Sequence, residues 1–232
     1  MYNVRFVDED PDLKGEWDGD FWRGGKADEI SHFRKEGSAH RPKTRFRLVY
    51  SDKGIYGIFF VEDRFVKCVH HGYLAPVYKD SCVEFFVRPS GSKGYFNFEF
   101  NCGGSILCSY ITDHSRTPEG FKSSVPLALQ DLQLIKIFHS LPEIITEEIK
   151  DPVNWILEFF IPFSVFEKYS GNIWDLQGQV WNANFQKCGD STSHPHWVSW
   201  EPLPELNFHL PDCFGLICFE KKLSKPHASE DI

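Results

Sequence analysis

Two stretches of this sequence carry polar side chains of an unusual kind for a sheet. In residues 95–101, Phe96, Phe98 and Phe100 alternate with Asn97, Glu99 and Asn101. In residues 179–187, Trp181, Ala183 and Phe185 alternate with Asn182, Asn184 and Gln186. An extended chain sends such alternating sets to opposite faces. Asparagine is disfavoured in strands, because its amide competes for local backbone hydrogen bonds. Its recurrence on two strands therefore calls for a partner. Sugar hydroxyls are one, since amides and carboxylates pair with adjacent hydroxyls as donors and acceptors. A solvent-facing stripe, or internal bonds to loops, is the competing explanation.

Tyr78, Trp174, Trp181, Trp197 and Trp200 lie in or near loop-like segments. Such rings can carry the C–H face of a pyranose, the apolar platform of a small-ligand pocket. Any one of them is more often a core residue, because Trp is deeply buried on average. The run from Lys187 to Trp197 is polar, contains Gly189 and Pro195, and reads as a functional loop. Cys188, His194 and His196 within it are zinc-type donors, but their spacing matches no standard motif and no fourth ligand is evident. His70-His71 is equally unspecific, so no metal ligands are assigned. Glu84 and Glu99 fall on expected neighbouring strands, with Asp80 near. Carboxyl groups roughly 5–9 Å apart would suit glycoside hydrolysis; charge balance or sugar hydrogen bonding is the simpler role. No nucleophile elbow, phosphate loop or dinucleotide fingerprint is present. Asp8, Glu9, Asp10 and Asp12 lack the glycine and distal glutamate of an EF-hand loop.

These residues need a sheet scaffold. Strand patterns recur at 44–50, 55–61, 82–88, 95–101, 105–111, 132–138, 153–161, 179–187 and 214–220, separated by turn-forming Gly, Pro, Ser and Asp. A loop is expected from 112 to about 130, and one short helix at 163–169, stopped by Gly171. Residues 1–40 read as an irregular lead-in, 41–220 as the sandwich and 221–232 as a polar tail, one domain in all. The fold class is all-β: an antiparallel β-sandwich or jelly roll.

The chain has 232 residues and 22 Phe, enough apolar area for one substantial core. A net charge of −8 opposes nucleic acid and anionic membranes. Arg41, Lys43, Arg45 and Arg47 alternate and read as a solvated sheet face. Seven Cys, an odd number without any CxxC, read as small buried hydrophobes in a reducing compartment. With no apolar leader and no long apolar run, the expected location is cytoplasmic, unless a leader has been removed.

The order of several segments resembles carbohydrate-binding modules of family 9 and their free-standing relatives. Trp17-Asp18-Gly19-Asp20-Phe21-Trp22 is similar to an early "DG…W" element, and Tyr78-Lys79-Asp80-Ser81-Cys82-Val83-Glu84-Phe85-Phe86 to the start of a central strand. Trp155 to Pro162 resembles a "W…E…IP" strand, and Trp181-Asn182-Ala183-Asn184-Phe185 a late amide-rich strand. Asn207 to Gly215 resembles the closing "FH.P..FG". The resemblance implies a sandwich that binds mono- or oligosaccharides without cleaving them, often at a chain end. By motif position Tyr78 and Phe185 would clamp the sugar, and Glu84 and Asn182 would make polar contacts. With the faces read above, the candidate ligand set is Tyr78, Glu84, Asn101, Asn182, Asn184, Phe185, Lys187 and Trp197. Structural calcium, held by some members, is the one ion the resemblance suggests. Haem, bound by related sandwiches, is an alternative, but Met1 is the only Met, which leaves bis-His ligation. A hydrolase using Glu84 and Glu99, or a protein-interaction sandwich with a vestigial pocket, are the competing functions.

Overall fold

The computed structural model describes residues 1–173 and 175–222, so Trp174 and most of the expected tail lie outside the described residues. In chain order the first strands are β1 (Tyr2–Phe6), β2 (Asp28–Ile30), β3 (His32–Phe33), β4 (Lys43–Tyr50), β5 (Gly54–Asp63) and β6 (Val66–Cys68). Then come β7 (Cys82–Arg88), β8 (Tyr95–Asn101), β9 (Ile106–Leu107), β10 (Ser109–Thr117), β11 (Gly120–Pro126) and β12 (Lys136–His139). The last are β13 (Ile145–Ile149), β14 (Val153–Pro162), β15 (Val180–Cys188), β16 (Trp197–Ser199) and β17 (Gly215–Phe219). The helices are α1 (Asp20–Arg23), α2 (Leu129–Leu132) and α3 (Phe163–Ser170).

The strands form an all-β sandwich. One layer runs β11-β10-β8-β7-β15-β17, and the other runs β4-β5-β14-β12 with β2 on the free side of β4. Strand β1 joins them, pairing parallel with β17 at one end and parallel with β4 at the other. The remaining strand pairs are antiparallel, so the departure from the expected pattern is confined to this one strand.

The alternation that forms these strands also builds the core. Phe85, Phe98, Phe100 and Phe185 point inward from one layer, and Phe46, Phe59 and Phe159 from the other. Phe46 stacks on Phe185 at 3.7 Å between ring centroids, and Phe100 on Phe159 at 5.1 Å. Gly57 makes this possible on β5, because a Cβ there would lie 2.1 Å from the Phe159 ring. Each fully buried Phe contributes roughly 1.5–3 kcal/mol by transfer from water.

Residues 1–40 are irregular only in part. Three strands and a helical turn form within them, and Glu158 of β14 fixes the segment by accepting hydrogen bonds from Lys14 N, Gly15 N and Trp22 Nε1. This segment covers the basic face of β4. Arg47 donates to Trp17 O and lies 4.3 Å from the Trp17 ring, so the Arg45–Arg47 end of that face is partly packed, while Arg41 and Lys43 are exposed as expected. The helix at 163–170 ends at Gly171 with φ of 90°. The expected loop after 112 is instead a hairpin of β10 and β11, turning at Thr117-Pro118-Glu119-Gly120. No helix among the described residues is long and apolar enough to cross a membrane.

Candidate functional site

The outer face of the β7-β8-β15 layer is roofed by loops. Val77, Phe208 and Phe214 pack on Cys82, Phe86 and Tyr95 to make a second apolar cluster. Strand register arranges the polar side chains of this face in rows. Asn101, Cys82, Cys188 and Trp197 stand in one row, and Glu99, Glu84, Gln186 and Ser199 in the next. A cleft of about 400 Å³ opens over the first two strands of these rows.

Its floor is Glu84, Glu99 and Asn97. Tyr78, on the short helical turn Val77–Lys79, and Trp197, at the start of β16, provide aromatic walls. Trp197 Nε1 donates to Asp190 Oδ1 at 2.7 Å, which fixes the indole. The β10–β11 hairpin adds Arg116, whose guanidinium sits 3.9 Å from the Phe121 ring. Asn207 and His209 close the far side; Tyr95 Oη and His209 Nδ1 are 2.9 Å apart. Burial pushes the His209 imidazole down to about 3, so it is neutral at physiological pH.

The floor is electrostatically costly. Glu84 and Glu99 are directly opposed across adjacent strands and only 2% and 4% exposed. Burial raises both carboxyls, Glu84 further through the neighbouring Cys188 and Glu99, and Glu99 despite the hydrogen bond from Asn97. Two buried carboxyls side by side cannot both ionise cheaply, so protons are retained. Asn97 Nδ2 donates to Glu99 Oε1 at 2.7 Å, and the Cys188 thiol donates to Glu84 Oε1 at 3.3 Å. The second oxygen of each carboxyl has no partner, nor do Oε1 and Nε2 of Gln186 beside them. Buried polar atoms are rarely left so, and each costs about 1–3 kcal/mol. The two carboxyl oxygens lie beneath the cleft and mark a surface built to be satisfied by a bound polar molecule, while Gln186 is buried outside the cleft lining.

The candidate residues divide. Tyr78, Glu84 and Trp197 line the cleft, as does Glu99. Phe185 does not: it is fully buried between the layers, 5.1 Å from Phe85 on one side and stacked on Phe46 on the other. Lys187 shares the inward face with Phe185, and its ammonium lies 3.3 Å from Asp63 Oδ2 and 2.7 Å from His196 Nε2. Burial pushes the Asp63 carboxyl up, but Lys187 and the hydrogen bond with His40 pull it well below the usual range. Asn184 faces outward but is consumed by the backbone, accepting from Glu201 N and donating to Glu201 O. Asn101 likewise donates to His70 O and Asp80 Oδ2 and accepts from Ser105 N. Asn182 sits opposite Leu216 and Arg88, outside the cleft lining. Cys188, His194 and His196 do not converge either. The two nitrogens of His196 are used by Lys187 and by the His194 carbonyl. Arg116, Phe121, Asn207 and His209 were absent from the candidate set. The Pro-Glu-Gly turn at 118–120 was the available sign of the hairpin that carries the first two.

The sequence pattern of carbohydrate-binding family 9 matches residues 26–219, most of the chain. The chain belongs to this family. A candidate carbohydrate-binding protein from Bacteroides uniformis is 29% identical, with a TM-score of 0.82 over 94% of this chain and 98% of that one. A family 9 module from Caldicellulosiruptor kristjanssonii, solved with cellotriose, superposes at a TM-score of 0.62 with 13% identity, over 96% of this chain and 95% of the module. The same organism's module with glucose gives 0.61 and 14%, over 97% and 99%. At that identity these two show a shared fold. No curated protein matches the chain. Family 9 comprises binding modules, so carbohydrate binding is the activity that the cleft has to account for.

Proposed function

We propose that this protein binds a carbohydrate, without cleaving it, in the cleft between Tyr78 and Trp197. The observation that carries this reading is the pair of unpartnered carboxyl oxygens on Glu84 and Glu99 beneath two aromatic walls. A pyranose meets both demands at once, placing C–H groups against the rings and hydroxyls against the floor. Protonated carboxyls donate to sugar oxygens and accept from hydroxyls, so the floor suits a neutral ligand. The volume of about 400 Å³ fits one or two sugar rings. Cellotriose and glucose, bound by the modules from Caldicellulosiruptor kristjanssonii, make β-glucans the first ligands to try.

Hydrolysis by Glu84 and Glu99 is disfavoured by their placement. Both rise from one sheet face as directly opposed neighbours, and so reach a ligand from the same side. Glycoside hydrolysis needs a carboxyl group on each side of the scissile bond. Calorimetric titration with glucose, cellobiose, cellotriose and xylo-oligosaccharides, followed by product analysis, tests the reading. It expects saturable binding of at least one sugar and no released products. Failure of every sugar at millimolar concentration, or turnover that vanishes in Glu84→Gln, would overturn it.

A further inference from the structure

Cys82, Glu84 and Cys188 form a cluster at the edge of the cleft floor that sugar binding does not explain. Strand alternation puts Cys82 and Glu84 on the same outer face of β7, and the β7–β15 register sets Cys188 directly opposite Cys82. The two sulfurs and a carboxylate oxygen all lie within 4.8 Å of one another. Cys188 Sγ and Glu84 Oε1 are 3.3 Å apart. A tetrahedral centre with bonds of about 2.3 Å to sulfur and about 2.1 Å to oxygen holds those two atoms roughly 3.5 Å apart. That pair is therefore already at coordination spacing, and the Cys82 sulfur lies within 4.8 Å of both.

The surroundings agree with that geometry. All three side chains are at most 2% exposed, yet Glu84 and Cys188 line the cleft, so the cluster has one open side. Cys82 and Cys188 hydrogen-bond to each other; Cys82 also has a long contact of 3.7 Å to the Val83 carbonyl, and Cys188 one of 3.4 Å to the Tyr78 carbonyl. Two sulfurs and one carboxylate select a borderline-soft ion over calcium or magnesium, which take oxygen ligands.

We propose that Cys82, Cys188 and Glu84 hold one zinc-class divalent cation at the floor of the cleft. Its fourth position faces the cleft, where water or a ligand oxygen fills it. The ion uses Glu84 Oε1, the oxygen beside Cys188, and leaves Glu84 Oε2 and Glu99 to a bound molecule, so the site stands whether or not the cleft takes a sugar.

The test is titration of the reduced, full-length chain with cadmium, followed by its thiolate-to-cadmium charge-transfer absorption. One ion per chain is expected, with the band lost in Cys82→Ser and in Cys188→Ser. Glu84→Gln should weaken binding by at least the ~10-fold that even outer-shell changes cost. Cys213→Ser and Cys218→Ser, at the two partly exposed thiols, should leave the band unchanged. X-ray absorption on the zinc-loaded wild type covers the case in which a variant fails to fold; it should show two sulfur neighbours at about 2.3 Å. Only nitrogen and oxygen neighbours, a band that survives in the Cys82 and Cys188 variants, or a Cys82–Cys188 disulfide with no bound metal under reducing conditions would overturn the proposal.

Discussion

The two faces of strands β7, β8 and β15 are both largely buried, and at their centres they differ sharply. Inward, Phe85 and Phe185 stack on Phe159 and Phe46 of the opposite layer, and Phe98 packs against Phe166 of α3. Outward, Glu84, Glu99 and Gln186 are just as hidden but hold oxygens and a nitrogen with nothing to bond. The inward face gains free energy by being closed. The outward face spends some of that gain to keep a polar surface ready. The same strands thus separate stability from binding, and a substitution should affect one or the other according to the side from which its residue points.

The largest effect should come from the inward face. Phe185→Ala removes the ring shared by both layers and should cost about 3–5 kcal/mol in urea denaturation. Sugar affinity of the remaining folded protein should be unchanged; a selective loss of affinity would return Phe185 to the site. Lys187→Ala leaves Asp63 buried without its nearest ammonium and should cost about 3 kcal/mol, again without a specific binding defect. On the outward face, Tyr78→Ala should lower the melting temperature far less than Phe185→Ala, since Tyr78 is already 36% exposed. It should weaken sugar binding by about tenfold or more, the scale of a binding hot spot above 1 kcal/mol.

A pH-dependent effect tests the cost of the floor. The Glu99 carboxyl is raised by burial from 4.5 to about 8. Its contribution to stability is therefore complete below about pH 4.5 and is lost as pH rises toward 8, because the unfolded chain gives up the proton first. Glu99→Gln should match wild type at pH 4 and melt higher at pH 8–9, by roughly 2–4 °C for each kcal/mol recovered. The comparison belongs in chelator, so that no metal contributes. A variant less stable than wild type at alkaline pH would show that the floor is not under strain.

Much of this division is legible in the sequence, because period-two alternation is enough to separate Phe98 from Glu99 and Phe185 from Asn184. The same alternation places Phe185 and Lys187 inward, although motif position put Phe185 in the candidate ligand set and Lys187 was counted there as well. Which outward amides are free is a different matter. Asn101 and Asn184 share a face with Glu99 and Gln186, but loops distant in sequence consume their hydrogen bonds. The Cys82–Cys188 pair depends on strand register, which no local pattern gives. Strand β1 escaped notice because a five-residue strand at the chain start is defined by its partners, β17 and β4.

A crystal structure of the protein soaked with a sugar that binds in solution tests the central claim most directly. The account predicts a pyranose ring between Tyr78 and Trp197, with hydroxyls on the unpartnered oxygens of Glu84 and Glu99. Sugar bound on another surface, with the cleft floor still unpartnered, would contradict it.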